Sequence, residues 1–336
     1  MLRPFPGASR RTLLVGLVAA ALSSATCDPQ QMARQAGARQ RISIATGGTG
    51  GVYYAYGGGI AKVISESIPN VEATAEVTAA SVDNLKFLRD GKSDIAFTLA
   101  DTLDDALKGQ GGFRDFGKVP ALALAALFTN YTHLVTVANS GINKVADLRG
   151  HVIAIGSAGS GTEVIALRVL EAAGLRPGAG VETQGLGVAQ AVDALKDGKI
   201  DAFFWSGGLP TAAVLDLANT PGIQMKMVPT DDVLPALQKA YGPSLYKLVI
   251  MPKRAYADVD IVVPVVGVTT LLVVTDRMSE DLAYGVTKAL FEKQSELVSI
   301  HPQAKQLTLE SAMAGSPAPF HPGSIRYYRE RNVWKP

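Results

Sequence analysis

Leu88-Arg89-Asp90-Gly91-Lys92-Ser93-Asp94-Ile95-Ala96-Phe97 returns about one hundred residues later as Leu195-Lys196-Asp197-Gly198-Lys199-Ile200-Asp201-Ala202-Phe203-Phe204, with Leu, Asp-Gly-Lys, Asp and Phe in register. The echo extends upstream. The apolar run Ile42-Ser43-Ile44-Ala45 leads into Gly47-Gly48-Thr49-Gly50-Gly51, and Val152-Ile153-Ala154-Ile155 leads into Gly156-Ser157-Ala158-Gly159-Ser160-Gly161-Thr162. Each half therefore reads as strand, glycine-rich loop, helix, further elements, a helix closed at Asp-Gly-Lys, then a strand. Glycine suits the residue after a helix end, where φ turns positive. Because the motif repeats with the fold unit, while an active site need exist only once, Asp90, Asp94, Asp197 and Asp201 are expected to fix helix-to-strand turns rather than to catalyse. Two similar α/β lobes imply a cleft with one glycine-rich helix start on each wall.

The chain of 336 residues suits two such lobes after removal of a leader. With 47% hydrophobic and 18% charged residues it can build a large core. The 32 basic and 30 acidic residues are mixed, without a basic stripe, which excludes nucleic acid as a partner. Arg3, Arg10 and Arg11 precede the apolar run Leu13 to Leu22 and the small residues Ser23-Ser24-Ala25. This is the pattern of an export signal cleaved after Ala25, too short for a lasting membrane anchor. Ser9-Arg10-Arg11-Thr12-Leu13-Leu14 also resembles a twin-arginine signal. Cys27 is the only cysteine, so no intrachain disulfide forms; it is either a lipid acceptor beside a poor lipobox or a free thiol near the mature N-terminus.

Periodicity predicts a first strand at 42–46, a helix at 52–68, a strand at 71–77 and a helix opened by Ser81, whose hydroxyl is placed to accept from free backbone N–H groups. It then predicts a strand at 134–137 leaving the first lobe, helices at 163–173 and 190–196, and a strand at 202–205. Residues 261–274 read as buried strands interrupted at Pro264 and Gly267, 282–298 as one long amphipathic helix, and 318–336 as a surface wrap.

A glycine-rich turn leading into a helix offers unpaired N–H groups and the positive end of the helix dipole to an anion. Thr49, Ser160 and Thr162 add hydroxyls, and Tyr53 and Tyr54 offer flat amphipathic faces. Trp205 or Ser206, at the end of the second lobe's strand, is placed to line the cleft, with a buried structural Trp as the alternative. The first loop lacks the acid of a dinucleotide fingerprint, and neither loop runs into Gly-Lys-Ser or Gly-Lys-Thr. His133, His151, His301 and His321 are scattered without metal-ligand spacing, and no Gly-x-Ser-x-Gly elbow occurs. No cofactor or metal is called for, and no nucleophile or general base stands out.

Gly47-Gly48-Thr49-Gly50-Gly51-Val52-Tyr53-Tyr54, Ser81-Val82-Asp83-Asn84-Leu85, Asp94-Ile95-Ala96-Phe97, the second glycine-rich segment, Asp197 to Phe204 and the tail His321 to Glu330 together resemble the TAXI family of extracytoplasmic solute receptors, which serve TRAP-type secondary transporters. The resemblance covers nearly the whole mature chain in order. It implies an α/β, two-lobed periplasmic-binding-protein fold of the second class, with two hinge crossings and the ligand between the lobes. The corresponding division is 1–25 export signal, 26–40 linker, 41–135 first part of lobe one, 136–267 lobe two, and 268–336 the return segment and C-terminal wrap of lobe one. It further implies a small carboxylate ligand of the glutamate or 2-oxoglutarate class, a periplasmic location and a membrane transporter as partner. Carried over by position, the ligand candidates are Gly48, Thr49, Tyr54, Ser81, Asn84, Ser160, Gly161 and Thr162, with Trp205 added from its place at the cleft.

The chain departs from the family pattern at Ala79-Ala80, at Thr98-Leu99-Ala100-Asp101 and at Thr129-Asn130, so glutamate itself is not assigned. Asp101 near the cleft would oppose a second ligand carboxylate unless a cation or a ligand amine paired with it. The expected function is a receptor that captures a small organic acid by hinge closure and delivers it to the transporter; a sensor for a signalling partner and an enzyme on the same fold are the alternatives.

Overall fold

The computed structural model describes residues 39–334. The export signal, most of the linker and Cys27 lie outside the described residues. In chain order the elements are β1 (Gln40–Ala45), α1 (Val52–Ser67), β2 (Val71–Glu76), α2 (Ser81–Asp90), β3 (Ile95–Leu99), α3 (Ala100–Lys108), β4 (Ala121–Val137), β5 (Val152–Ala154), α4 (Gly161–Ala172), β6 (Arg176–Pro177), β7 (Gly180–Gln184), α5 (Val188–Lys196), β8 (Ala202–Gly207), α6 (Ala212–Ala218), β9 (Met225–Val228), α7 (Leu234–Tyr241), β10 (Tyr246–Met251), β11 (Val263–Thr275), α8 (Glu280–Glu292), α9 (Gln294–Ile300) and α10 (Pro322–Glu330).

The duplication in the sequence becomes a duplication in the sheet. Its path runs β2-β1-β3-β11-β4-β8-β5-β7-β6. On one side β1 pairs in parallel with β2 and β3; on the other β5 pairs in parallel with β7 and β8. The order β2-β1-β3 is thus repeated as β7-β5-β8, with α1 and α2 in one half matching α4 and α5 in the other. The repeated aspartates do the same work twice. Asp94 Oδ2 accepts from Ser43 N at 2.9 Å and Asp201 Oδ2 accepts from Val152 N at 2.8 Å, each tying the start of the third strand to the first. Gly91 and Gly198 hold φ of 71° and 67°, the left-handed turn that the Asp-Gly-Lys motif anticipates.

Two long antiparallel strands join the halves. β4 pairs with β11 from Ala121 to Tyr131 and with β8 from Tyr131 to Thr136, so it passes from one half to the other. It begins at Ala121, well before the expected 134, because Ala121 to Phe128 are almost all buried and carry no alternation to read. β11 is one strand rather than interrupted segments: Pro264 lies where only β10 pairs with it, clear of the β4 ladder, which starts at Gly267. Ile261 and Val262 precede the strand and are exposed, not buried.

Three other expectations change. Ser81 is the first helical residue of α2 and caps nothing; its Oγ accepts from Leu99 N at 3.2 Å. The helix expected at 282–298 breaks at Lys293 into α8 and α9. The C-terminal segment is more than a wrap. Tyr327 and Tyr328 of α10 are fully buried, Tyr327 stacks on Phe291 at 5.5 Å, and Tyr328 donates to Leu124 O at 2.7 Å. One hydrophobic cluster runs through both halves, while a second, with Phe203, Val214 and Tyr256, is confined to the β8 side.

Candidate functional site

Four helices start at the seam between the halves, and they fall into two kinds. The second glycine-rich loop reaches across the seam: Gly159 O accepts from Val82 N and Asp83 N, both at 3.1 Å, and so occupies the start of α2. The start of α4 is also occupied, since Ser160 Oγ accepts from Glu163 N at 3.0 Å and Glu163 Oε2 accepts from Gly159 N at 2.8 Å. Gly161 sits so close to α2 that a Cβ there would lie 2.6 Å from Ser81 Oγ. The other two starts are open. Among the described residues, no side chain caps α1 or α5 and neither has an acidic residue in its first turn, whereas α2 has Asp83 and α4 has Glu163.

The duplicated halves explain the asymmetry. Gly50 occupies in the first loop the place of Gly159 in the second, one residue before the helix cap in each case. Gly50 O takes Ala213 N of α6, at 3.4 Å, instead of the start of α5. The starts of α1 and α5, helices of 16 and 9 residues, therefore line one cavity with no side chain capping them, a pair of positive dipole ends.

Between them lies a cavity lined by Gly47, Gly48, Tyr53, Ser81, Ser157, Ser160, Gly161, Thr162, Gly187, Val188, Trp205, Ser206 and their neighbours. The centre of a water-sized sphere can move through about 50 Å³ of it. Its lining contains no Asp, Glu, Lys, Arg or His. Tyr53 closes one side; burial pushes its phenol up to about 12, against the hydrogen bond it shares with Thr270 Oγ1 at 3.3 Å. Trp205 closes another, with Nε1 donating to Thr211 Oγ1 at 2.8 Å.

The model of the NMT1-like family matches residues 44–331, most of the chain. The chain belongs to the NMT1-like family. Among solved structures, this NMT1-like protein is similar to the alkanesulfonate-binding protein SsuA from Xanthomonas axonopodis pv. citri bound to MOPS: 15% identity over 89% of this chain and 96% of that one, TM-score 0.50. A protein from Bordetella bronchiseptica RB50 is similar at 17% identity over 88% and 90%, also with a TM-score of 0.50. These likenesses show the periplasmic-binding-protein α/β fold that the sequence leads one to expect.

Of the residues singled out in sequence, the NMT1-like fold brings Gly48, Ser81, Ser160, Gly161, Thr162 and Trp205 to the cavity. Thr49 and Tyr54 are exposed and do not line it; Tyr53 does, because α1 turns that ring inwards. Asn84 is fully buried below, with Nδ2 donating to the carbonyls of Ala45, Thr46 and Phe97 and Oδ1 accepting from Thr78 Oγ1 at 2.5 Å. It ties the strand ends to α2 and has no free valence for a ligand.

Asp101 does not face the cavity as a bare acid either. Thr102 N and Tyr246 OH donate to it, and Arg168 lies 3.8 Å away. The start of α5, signalled only by Gly185-Leu186-Gly187, is not singled out in the sequence. His133 is structural: its ring meets Tyr256 OH at 2.9 Å, and burial lowers it to about 4. Among the described residues no group of three or more His, Cys, Asp and Glu is placed to hold a metal, and no helix is long and apolar enough to cross a membrane.

Proposed function

We propose that this protein is an exported receptor that binds a small organic acid between its two halves and delivers it to a membrane transporter. The observation that carries the reading is the pair of open helix starts, one from each half, facing a cavity that contains no acid. An anion placed there completes the N–H groups of α1 and α5 and gains from both dipoles, each worth roughly 0.3–1 kcal/mol when exposed and more when buried. The same arrangement favours binding over turnover, since the hydroxyls of the lining stand with no Asp, Glu, His, Lys or Cys beside them in the cavity.

The cavity of about 50 Å³ corresponds to roughly three to five water positions, so the ligand is small. The ligand contacts both halves and closes the hinge by its higher affinity for the closed form. The solved SsuA is named for alkanesulfonate, another small anion, which accords with an anionic ligand here. The TAXI-like segments support a TRAP-type transporter as the partner, with the leader at 1–25 directing export to the periplasm. Cys27 offers a lipid anchor.

The test begins with protein that has been unfolded and refolded to strip retained ligand, followed by thermal shift against carboxylates, sulfonates, sugars and uncharged amides. An organic acid at about 100 times its Kd should add roughly 2.7 kcal/mol. A rise with sugars or amides and none with any acid would refute the reading.

A further inference from the structure

Behind the cavity, three buried polar side chains have no partner among the described residues. Asn130 is fully buried with both Oδ1 and Nδ2 unpaired, Thr132 is fully buried with Oγ1 unpaired, and Ser206 is 6% exposed with Oγ unpaired. The sheet puts them on one face. Thr132 of β4 stands directly opposite Ser206 of β8, and Asn130 lies two residues along β4, hence on the same side. Ser206 lines the cavity, and so does Tyr53, whose phenol contacts Thr270 Oγ1 at 3.3 Å. Orphaned atoms at this depth are rare in folded proteins, because each loses water without replacing it. Ser206 reaches the cavity itself, and Thr132 and Asn130 share its face of the sheet beside it, so these four orphaned atoms imply a partner that arrives from outside.

We infer that Asn130, Thr132 and Ser206 form a neutral hydrogen-bonding floor that recognises a hydroxyl or oxo group on the bound acid, so that the receptor takes hydroxy or oxo acids and rejects the matching amino acids. The inference rests on the receptor reading above. An amide and two hydroxyls both donate and accept, so they suit an uncharged oxygen. They do not suit an ammonium, which would be buried without a counter-charge. The acid that could have supplied one, Asp101, is held by Thr102, Tyr246 and Arg168.

The measurement is isothermal titration of the stripped protein with matched sets of three to six carbons: the unsubstituted acid, the 2-hydroxy acid, the 2-oxo acid and the 2-amino acid. The hydroxy or oxo member should bind at least about tenfold more tightly than the unsubstituted acid and at least about a hundredfold more tightly than the amino acid. A site built to hydrogen-bond a group discriminates strongly against analogues that leave its buried polar atoms unpaired. Thr132→Val and Ser206→Ala keep volume nearly constant; each should shrink the ratio between the oxygenated and the unsubstituted acid towards one, with near-UV circular dichroism confirming the fold. Amino acids binding as tightly as their oxo partners, or substitutions that weaken every acid equally, would overturn the floor while leaving the receptor intact. Silence with every acid would overturn the receptor reading and the floor with it.

Discussion

Replacing Arg168 with Met should be one of the most damaging single changes in the described chain that touches no ligand-binding group. Arg168 of α4 donates from Nη2 to Asp105 Oδ2 at 2.6 Å and from Nη1 to Tyr246 OH at 2.8 Å, with Asp101 Oδ2 at 3.8 Å. Asp101 is fully buried, and Asp105 and Arg168 are 7% and 8% exposed. Methionine fills most of the volume but leaves two carboxylates around a missing cation. Removing one member of a buried pair costs about 3–5 kcal/mol. For a chain near 300 residues that lowers Tm by roughly 5–8 °C.

The pH dependence follows from the carboxyls. Burial raises both Asp101 and Asp105, and Arg168 pulls each back down. An acid whose folded pKa is raised takes up protons on folding, so its penalty is complete above the folded pKa and fades as pH falls towards the unfolded range near 3.8. Without Arg168 both values rise further. The deficit of the variant should therefore be largest at pH 7.5 and less than half as large at pH 4.5, read from urea unfolding at each pH. A variant within about 1 kcal/mol of wild type at pH 7.5, or a deficit that ignores pH, would show that the cluster does not carry buried charge.

Three further outcomes are expected. Asn84→Leu strands the carbonyls of Ala45, Thr46 and Phe97 and should cost roughly 3 kcal/mol in chemical denaturation, with intact ligand selectivity in whatever folds. Gly161→Ala places a methyl 2.6 Å from Ser81 Oγ and 2.7 Å from Leu99 Cδ1, so it should prise the second loop from α2, enlarge the radius of gyration in X-ray scattering and weaken ligand about tenfold. His133, lowered to about 4 by burial, stays neutral in the folded protein while the unfolded chain protonates near 6.5. Its contribution is complete above pH 6.5 and falls by roughly 3 kcal/mol as pH drops towards 4; His133→Gln should flatten that part of the stability profile.

The duplication was legible because it is written in local chemistry. Asp-Gly-Lys closes a helix with a left-handed glycine and aims the next Asp at the first strand, and both copies do so within hydrogen-bond distance. The long strand β4 was not legible along Ala121 to Phe128, where burial on both faces erases alternation. At the site, the glycine-rich loops announced themselves, but a loop motif does not say whether its helix start is left open. That is decided across the seam, by Gly159 O on α2 and by Gly50 O on α6. Nor does a sequence distinguish Asn84, whose amide is wholly consumed by backbone, from Asn130, whose amide is wholly unused. The two differ only in what the sheet brings beside them.

The four helix starts divide binding from closure. A start can give its N–H groups to protein or to ligand, and here the two that carry acids, α2 with Asp83 and α4 with Glu163, are given to protein. Had the ligand's charge been directed at those starts, Asp83 and Glu163 would repel it; at α1 and α5 no acid stands in the first turn. The contact of Gly159 O with Val82 and Asp83 needs no ligand, yet it exists only while the halves touch. Two such hydrogen bonds contribute on the order of 1–3 kcal/mol to the contact between the halves. Under the proposed receptor role, a ligand bound at about 1 μM carries roughly 8 kcal/mol, of which only the part that differs between the closed and open forms adds to this contact in setting the equilibrium. Weakening the contact, as in Gly161→Ala, should thus lower affinity without altering which acid is preferred, whereas changing the floor at Thr132 or Ser206 should alter preference.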